Sequence, residues 1–500
     1  MSELQIYLSV GFILFLCIMG WLGYIATKKT KTISDFSIGG ASLGPYVLGL
    51  SFTATALSAA TFLGYPGWSY EWGFSNMWLY LSLLGAGPLG LIVVAKRARK
   101  INAKQVSLSL PDWLGDFFGS DILRVGSALI MLFNIFYIAA QFAAGAMIFE
   151  YMLGMSYTTG LVLITVIVVI YVFAGGAFAD IYTDAAQAIT MVIAGVVVFV
   201  SGIYVFGDGS ITQAFTNITD NLASQDGNLV KVINPDSQYF YSFSAILGIF
   251  IIQFAFASSP QLFNKVLALE KEKDLKKMII TYVATTFLCL IIFFGGIYSR
   301  AAIPGVPEAS DLALIEYIVS VFPVIVTALI GMVILAAAMS TTDGIFVVMS
   351  TIFANDIYYK VLVKRGIVKA DETEANRVAM IISRFAVVAV GIVAFLLVKN
   401  PPEYMGNVMW IGISGVAAGT MGPILYAIYG KRKSSPRAAE LSMIVGLFSY
   451  LIMYFGNIIP STMAAGGYAT VIGVVVMWIG AYTLKMPMTK NLEEEDIKAE

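Results

Sequence analysis

Histidine is absent from the 500 residues, and cysteine occurs only as Cys17 and Cys289, both inside apolar runs. The first absence excludes His-ligated zinc, His-ligated haem and histidine general-base catalysis. The second excludes a disulfide framework or a cysteine metal site. Charge is also scarce. Asp, Glu, Lys and Arg make up 12% of the chain and the net charge is −1, whereas a soluble domain carries about 25% charged residues. The chain therefore has no basic footprint for nucleic acid. It has no GxxxxGK[ST] phosphate loop either, so ATP is not an evident energy source.

Apolar residues fill the space that charge leaves. They make up 59% of the chain, and mean hydropathy is +0.83. Runs near the ~20 residues needed to cross a bilayer recur along the sequence. They predict thirteen spans, at 5–26, 44–67, 74–95, 122–152, 157–175, 183–206, 241–260, 278–299, 321–349, 376–398, 404–429, 438–458 and 464–484. The expected fold class is an all-α, multi-pass membrane protein of the plasma (inner) membrane, with the lipid bilayer as its solvent. The first run has no basic segment before it and KKTK after it, and it reads as a permanent span.

Lysine and arginine set the orientation, because positive flanks stay in the cytoplasm. With the N-terminus outside and the C-terminus inside, the basic residues within 28–31, 96–104, 265–277, 360–377, 431–437 and 485–498 all fall inside. Only Lys231, Arg300 and Lys399 fall outside. Arg124 and Arg384 lie just within cytoplasmic helix ends, where they are expected to snorkel. The polar stretch 207–240 reads as an outer cap, and 486–500 as a solvated cytoplasmic tail.

Two spans carry matching interruptions. SFTATALSAATFLGYPG (51–67) runs small and hydroxyl residues into Gly64, Pro66 and Gly67, and FSAILGIFIIQFAFASSPQ (243–261) ends in Ser258, Ser259 and Pro260. Proline removes a backbone donor, so each helix can open there. Five spans separate the two, and an odd block inverts topology. Paired interrupted helices in inverted halves point to a mid-membrane binding site, although a pair of ordinary proline kinks would leave the same trace. In the ninth span, Ser340, Thr341, Thr342 and Asp343 interrupt the apolar LIGMVILAAAMSTTDGIFVVMST. A single hydroxyl there commonly bonds back to its own helix. Three followed by a carboxylate suggest an oxygen cage for a hard cation such as Na⁺.

These segments resemble the sodium:solute symporter family, which includes proline, pantothenate, monocarboxylate, iodide and sodium/glucose transporters. The resemblance rests on DFSIGGASLGPYVLGLS (35–51), ALSAATFLGYPG (56–67), YVFAGGAFADIYTDAAQ (171–187), SSPQ (258–261), AAAMSTTDGIFVVMST…NDIY (336–358) and MGPILYAIYGKRK (421–433). It implies a five-plus-five inverted-repeat, leucine-transporter-like core. Residues 1–26 would be a leading helix, 44–206 the first repeat, 241–430 the second, and 438–485 two peripheral helices. The family's sodium site then falls on the carbonyls of Ala54, Leu57 and Ala337 and the hydroxyls of Ser340 and Thr341. Asp184 matches the family's acid beside that site, although YTD before AAQAITM also reads as a helix cap. A second Na⁺, or a proton, would involve Asp343 with Asp184, but Gly344 offers no side-chain ligand there.

The solute is expected beside the two broken helices. Candidate contacts are Thr61, Gln141, Gln253, Gln261 and Ser414, each of which could equally be a helix–helix hydrogen bond. Phe62, Tyr65, Phe254, Phe256 and Trp410 could gate the site or simply pack. Proline-transporting relatives carry an acid where Ala56 stands, and sugar-transporting relatives carry Gln where Thr61 stands. The small, hydroxyl-lined TATALSAATFLG looks closer to the pantothenate and monocarboxylate branches, which implies a small organic anion. The alternatives are Na⁺-coupled uptake of proline, another amino acid or a sugar, a membrane solute sensor on the same scaffold, and a membrane enzyme. The enzyme reading is disfavoured by the lack of a nucleophile constellation. The sequence shows no obligatory protein partner.

Overall fold

The computed structural model describes residues 2–28, 30, 32–305 and 309–484. The expected tail 486–500 lies outside them. The described residues form helices and a single isolated bridge, with no strand. In chain order the helices are α1 (Glu3–Thr27), α2 (Ile33–Ile38), α3 (Pro45–Ala56), α4 (Ala59–Phe62), α5 (Gly64–Trp72), α6 (Met77–Gln105) and α7 (Leu110–Phe118). They continue with α8 (Asp121–Met131), α9 (Asn134–Leu153), α10 (Tyr157–Gly207), α11 (Ile211–Gln225), α12 (Phe243–Phe256), α13 (Pro260–Ala268) and α14 (Leu275–Leu290). The last seven are α15 (Phe294–Ala302), α16 (Ala313–Val321), α17 (Val324–Thr351), α18 (Glu372–Leu397), α19 (Met405–Tyr429), α20 (Pro436–Phe455) and α21 (Thr462–Thr483). The chain continues from α17 as a π-helix over Ile352–Val363.

Local chemistry sets many of the boundaries. Ser109, Ser120, Ser156, Ser242, Ser461 and Asp371 each accept a backbone N–H at the start of a helix. Such caps satisfy donors that have no intrahelical partner. In α1 only a stripe containing Leu8, Phe12 and Met19 is buried, while Val10, Ile13, Leu14 and Trp21 are exposed. Exposed apolar faces of this size would be untenable in water and suit contact with lipid.

Every expected apolar run falls on helix, but the count differs. Among the described residues, ten helices are long and apolar enough to cross a membrane, or eleven if α12 and α13, bent by 40°, are taken as one span. Length and composition of the described helices therefore do not by themselves return the thirteen expected spans, for two reasons. The run 44–67 is divided among α3, α4 and α5, and none of these pieces is long enough alone. The run 157–175 gives only Tyr157–Ile170, an apolar stretch shorter than a span, ahead of Ala177–Gly207 in α10.

Small residues bring the helices together. A Cβ added at Gly446 of α20 would lie 2.0 Å from the Ala418 carbonyl of α19, and one at Gly90 of α6 would lie 2.1 Å from the Phe254 carbonyl of α12. Backbones this close gain dispersion contacts that lipid-embedded helices depend on. The tightest approach is Gly296 of α15, where a Cβ would lie 1.8 Å from the Pro66 carbonyl. Gly296→Val is expected to cost about 1–3 kcal/mol or more by overpacking. A clear drop in the thermal midpoint of the detergent-purified protein would show this, and an unchanged midpoint would contradict the packing.

Candidate functional site

The site begins where α3 stops. Leu57 has φ −100° and ψ 88°, which is not helical, and the Leu57 N–H makes the last α-type bond back, to Thr53. Beyond it the amides turn elsewhere. The Ala59 N–H, which a continuous helix would give to the Thr55 carbonyl, bonds instead to Gln141 Oε1 at 2.9 Å. Ser58 caps α4 through Ala60 N–H, and Thr61 N–H bonds to the Ser58 carbonyl rather than to Leu57. The carbonyls at the end of α3 are thereby released.

Two hydroxyls of α17 occupy them. Ser340 Oγ donates at 3.0 Å between the Ala54 and Ala337 carbonyls, and Thr341 Oγ1 donates at 3.1 Å to the Thr55 carbonyl. Thr342 bonds back to Ala338 within its own helix. Ala54, Leu57, Ala337, Ser340 and Thr341 are all buried. Three of the five expected cation-site residues, Ala54, Ala337 and Ser340, thus share direct contacts. Leu57 is at the break, and the carbonyl that meets Thr341 is that of Thr55. The donor set is neutral and all-oxygen, which fits a hard monovalent cation.

Behind this cluster lies a charged one. Lys265 of α13 is 2% exposed, and its ammonium is 2.7 Å from Ser51 Oγ, 2.6 Å from Asp180 Oδ2 and 2.8 Å from Asp184 Oδ2. Thr55 Oγ1 donates to Asp184 Oδ2 at 2.7 Å, so Thr55 joins the two clusters. Asp184 lies mid-helix in α10, which disposes of the capping alternative. Lys265 is a correction. Its place after SSPQ in a lysine-rich stretch reads as a cytoplasmic flank, yet it is buried among carboxylates. Asp343 stands near Asp180, Asp184 and Lys265, and neither of its oxygens has a hydrogen-bond partner among the described residues.

The solute candidates divide. Gln141 holds the broken helix through Ala59, and Ser414 donates to the Thr462 carbonyl of α21, so both have structural partners. Gln253 and Gln261 are buried with neither amide atom partnered. Thr61 and Phe62 are buried beside the break, and Tyr65 packs against Trp68 with ring centroids 5.6 Å apart. The Phe254 carbonyl faces Gly90 and its side chain is only half-buried, whereas Phe256 meets Trp410 edge-on at 5.9 Å. Sequence reasoning missed Tyr137 of α9. Its buried hydroxyl faces Ser58 and Thr341 and, among the described residues, neither it nor Trp410 Nε1 has a hydrogen-bond partner at ordinary distance. A tyrosine in an apolar helix gives no pattern signal.

Each end of the bundle is tied down. At the Lys265 end, Arg124 is buried and paired with Asp112, Asp116 and Asp121 rather than snorkelling. Lys360 joins the same group, 3.0 Å from Asp112. At the Trp72 end, Asp311 in the connection after α15 accepts the Met405 N–H at 2.9 Å. Trp68 stacks on Tyr239 at 4.3 Å.

An array of apolar helices around interrupted ones, with neutral oxygens converging at one interruption, defines a multi-pass membrane transporter. The chain belongs to the sodium:solute symporter family, whose model matches residues 36–446. It is similar to the high-affinity proline transporter PutP of Bacillus subtilis, 28% identical and covering 86% of this chain and 89% of that one. It is also similar to a sodium/pantothenate symporter of Haemophilus influenzae, 26% identical, covering 88% and 89%. Its fold is that of a solved Na⁺-coupled sialic acid symporter, with a TM-score of 0.77 at 20% identity, covering 97% of this chain and 99% of that one. A nucleobase-cation-symport-1 family transporter in a closed conformation matches less well, with a TM-score of 0.51 at 15% identity, covering 90% and 95%. The protein is thus a sodium-using transporter of the cell membrane and not an enzyme.

Burial pushes the Asp311 carboxyl up to about 6 from 3.8, partly offset by the Met405 N–H. A raised folded-state pKa means that the folded cap favours the protonated acid. That contribution is complete below the unfolded value and is lost as pH rises through the folded one. Hydrogen-exchange protection over residues 309–323 is expected to fall as pH rises from about 4 to about 6, and Asp311→Asn to flatten the dependence. Equal slopes in both proteins would contradict it.

Proposed function

We propose that this family member is a symporter that imports a small organic anion, of the monocarboxylate or pantothenate kind, with Na⁺ bound at the break of α3. Supporting this reading are the carbonyls of Ala54 and Ala337 and the hydroxyls of Ser340 and Thr341, with Leu57 completing the set through its non-helical carbonyl. Asp184 lies one residue contact further on, through Thr55, where it would draw the ion onward. Asp343 is held in reserve for a second cation or a proton.

The solute would sit between the breaks. The unpartnered Tyr137 hydroxyl, Trp410 Nε1 and Gln253 amide supply donors there. The small cavity at the second break is lined by Ser258, Ser259 and Thr420 and carries no charge. A carboxylate can be met by such donors, by opened helix N-termini and by the co-bound Na⁺ itself, without an arginine. The similarity to proline transporters favours proline as a second reading.

In this reading residues 44–206 and 241–430 are the inverted repeats, with the N-terminus outside and the C-terminus inside. Sodium binding stabilises the outward-open bundle, solute binds next to it, and rocking of the broken helices against the rest releases both inside. The membrane potential assists, at about 2.3 kcal/mol per charge per 100 mV.

The observation that carries this reading is the contact of Ser340 and Thr341 with carbonyls that the broken helix has released. Uptake of radiolabelled monocarboxylates, pantothenate, proline and sugars into proteoliposomes tests it. A sodium gradient is expected to drive one of the first two. Ser340→Ala with Thr341→Ala should raise the sodium concentration for half-maximal uptake at least about tenfold, equivalent to 1.4 kcal/mol of binding. An unchanged sodium dependence in the double variant overturns the site. Uptake of proline alone overturns the anion.

A further inference from the structure

We propose that the groove between α6 and α14 seats one anionic phospholipid, with its phosphate among Lys96, Lys273 and Lys276 and its acyl chains along the isoleucines one turn deeper.

The groove measures about 800 Å³, within the roughly 300–1,000 Å³ of small-molecule sites. The cavity at the second break, by contrast, has about 10 Å³, room for about one water. The groove is graded along its depth. Lys96 follows Ile92 by four residues on α6, and Ile280 follows Lys276 by four on α14. That spacing sets each pair on one helix face, a turn apart. Lys96 lies toward the end of α6 and Lys276 at the start of α14, so both helices put the ammonium nearer the membrane surface. Ile92 and Ile280 are more than half exposed, as suits contact with lipid tails.

Three ammonium groups at one mouth repel one another unless an anion lies among them. The neighbouring acids are engaged elsewhere. Asp274 takes Lys277 at 2.8 Å, and Glu270 takes Lys271 at 3.1 Å. Glu272, the acid in the lining, lies near Arg99. Among the described residues Lys96, Lys273 and Lys276 form no ion pair. Basic pockets between membrane helices recruit anionic headgroups in this way. A free phosphate would answer the lysines and leave Ile92, Ile279 and Ile280 without a partner, so the apolar half of the groove selects a lipid.

The seat backs onto the broken helix. On its buried side α14 meets α3: a Cβ added at Gly49 would lie 2.8 Å from the Met278 carbonyl, and Thr53 Oγ1 donates to the Tyr282 carbonyl at 3.3 Å. A lipid wedged against α14 therefore braces the helix that ends at Leu57.

Native mass spectrometry of the full-length protein in a neutral detergent tests this, with phosphatidylglycerol as the probe and phosphatidylcholine as the uncharged comparison. Wild-type protein is expected to hold one phosphatidylglycerol at least about tenfold more tightly than phosphatidylcholine, and its thermal midpoint to rise with phosphatidylglycerol alone. Lys96→Gln with Lys273→Gln and Lys276→Gln should lose both effects, and arginine at the same three positions should keep them. Lys369→Gln with Lys431→Gln and Lys433→Gln removes equal charge elsewhere and should also keep them. No preference in the wild type, an unchanged preference in the first triple variant, or an equal loss in the second overturns the proposal. Inorganic phosphate that raises the midpoint of lipid-free protein as phosphatidylglycerol does would mark a free-anion site, and a dimer that the first triple variant breaks would mark a contact between copies. Either result overturns the lipid. If the first triple variant fails to fold, the wild-type headgroup preference and the second triple variant decide.

Discussion

A peptide oxygen inside a bilayer needs a partner, and the end of α3 has at least two whose helical partners have turned away. The hydroxyls of Ser340 and Thr341 meet them across the interface with α17. Almost everything else in the centre of the molecule follows from that exchange. Gln141 is buried because it takes the amide that the break sets free. Thr55 can point its side chain at Asp184 because its carbonyl is already engaged. The interface is polar, neutral and reversible: hydroxyls that donate to carbonyls can rotate to share them with a cation, at the cost of hydrogen bonds rather than of packed surface.

Much of the architecture was legible in the sequence because membrane helices announce themselves by apolar length. Each predicted run lies on helix, and the break at Ala257–Ser259 falls where serine and proline signalled it, whereas the first span breaks at Leu57–Ser58, ahead of Gly64, Pro66 and Gly67, which lie in α5. The span count was less legible. Hydropathy averages over a window, so it cannot tell one crossing from three short helices, as in 44–67.

The site was read unevenly, for the same physical reason. Ser340 and Thr341 stood out because polar residues are conspicuous in an apolar run. Lys265 did not, because it follows a break and precedes KEKD, and a lysine near a membrane surface is ordinary. Only the fold brings Asp180 and Asp184, one helical turn apart on α10, onto it from a distance of more than eighty residues. Arg124 was misread in the same way: Asp121 lies one turn before it, but Asp112 and Asp116 arrive from the preceding short helix. Charges in membranes are costly, and Lys265 and Arg124 are both paired, but the sequence does not say with which residues.

The one bridge outside the helices also has a consequence. Leu43, just before α3, accepts from Glu270 at 3.0 Å and donates to Ala268 at 3.1 Å, at the end of α13. A backbone rung therefore yokes the foot of one interrupted helix to the foot of the other. Neither can swing without dragging its counterpart, so the two levers turn on a common axle. A tug applied at the foot of α3 is delivered, through main chain alone, to the arm that carries the lysine.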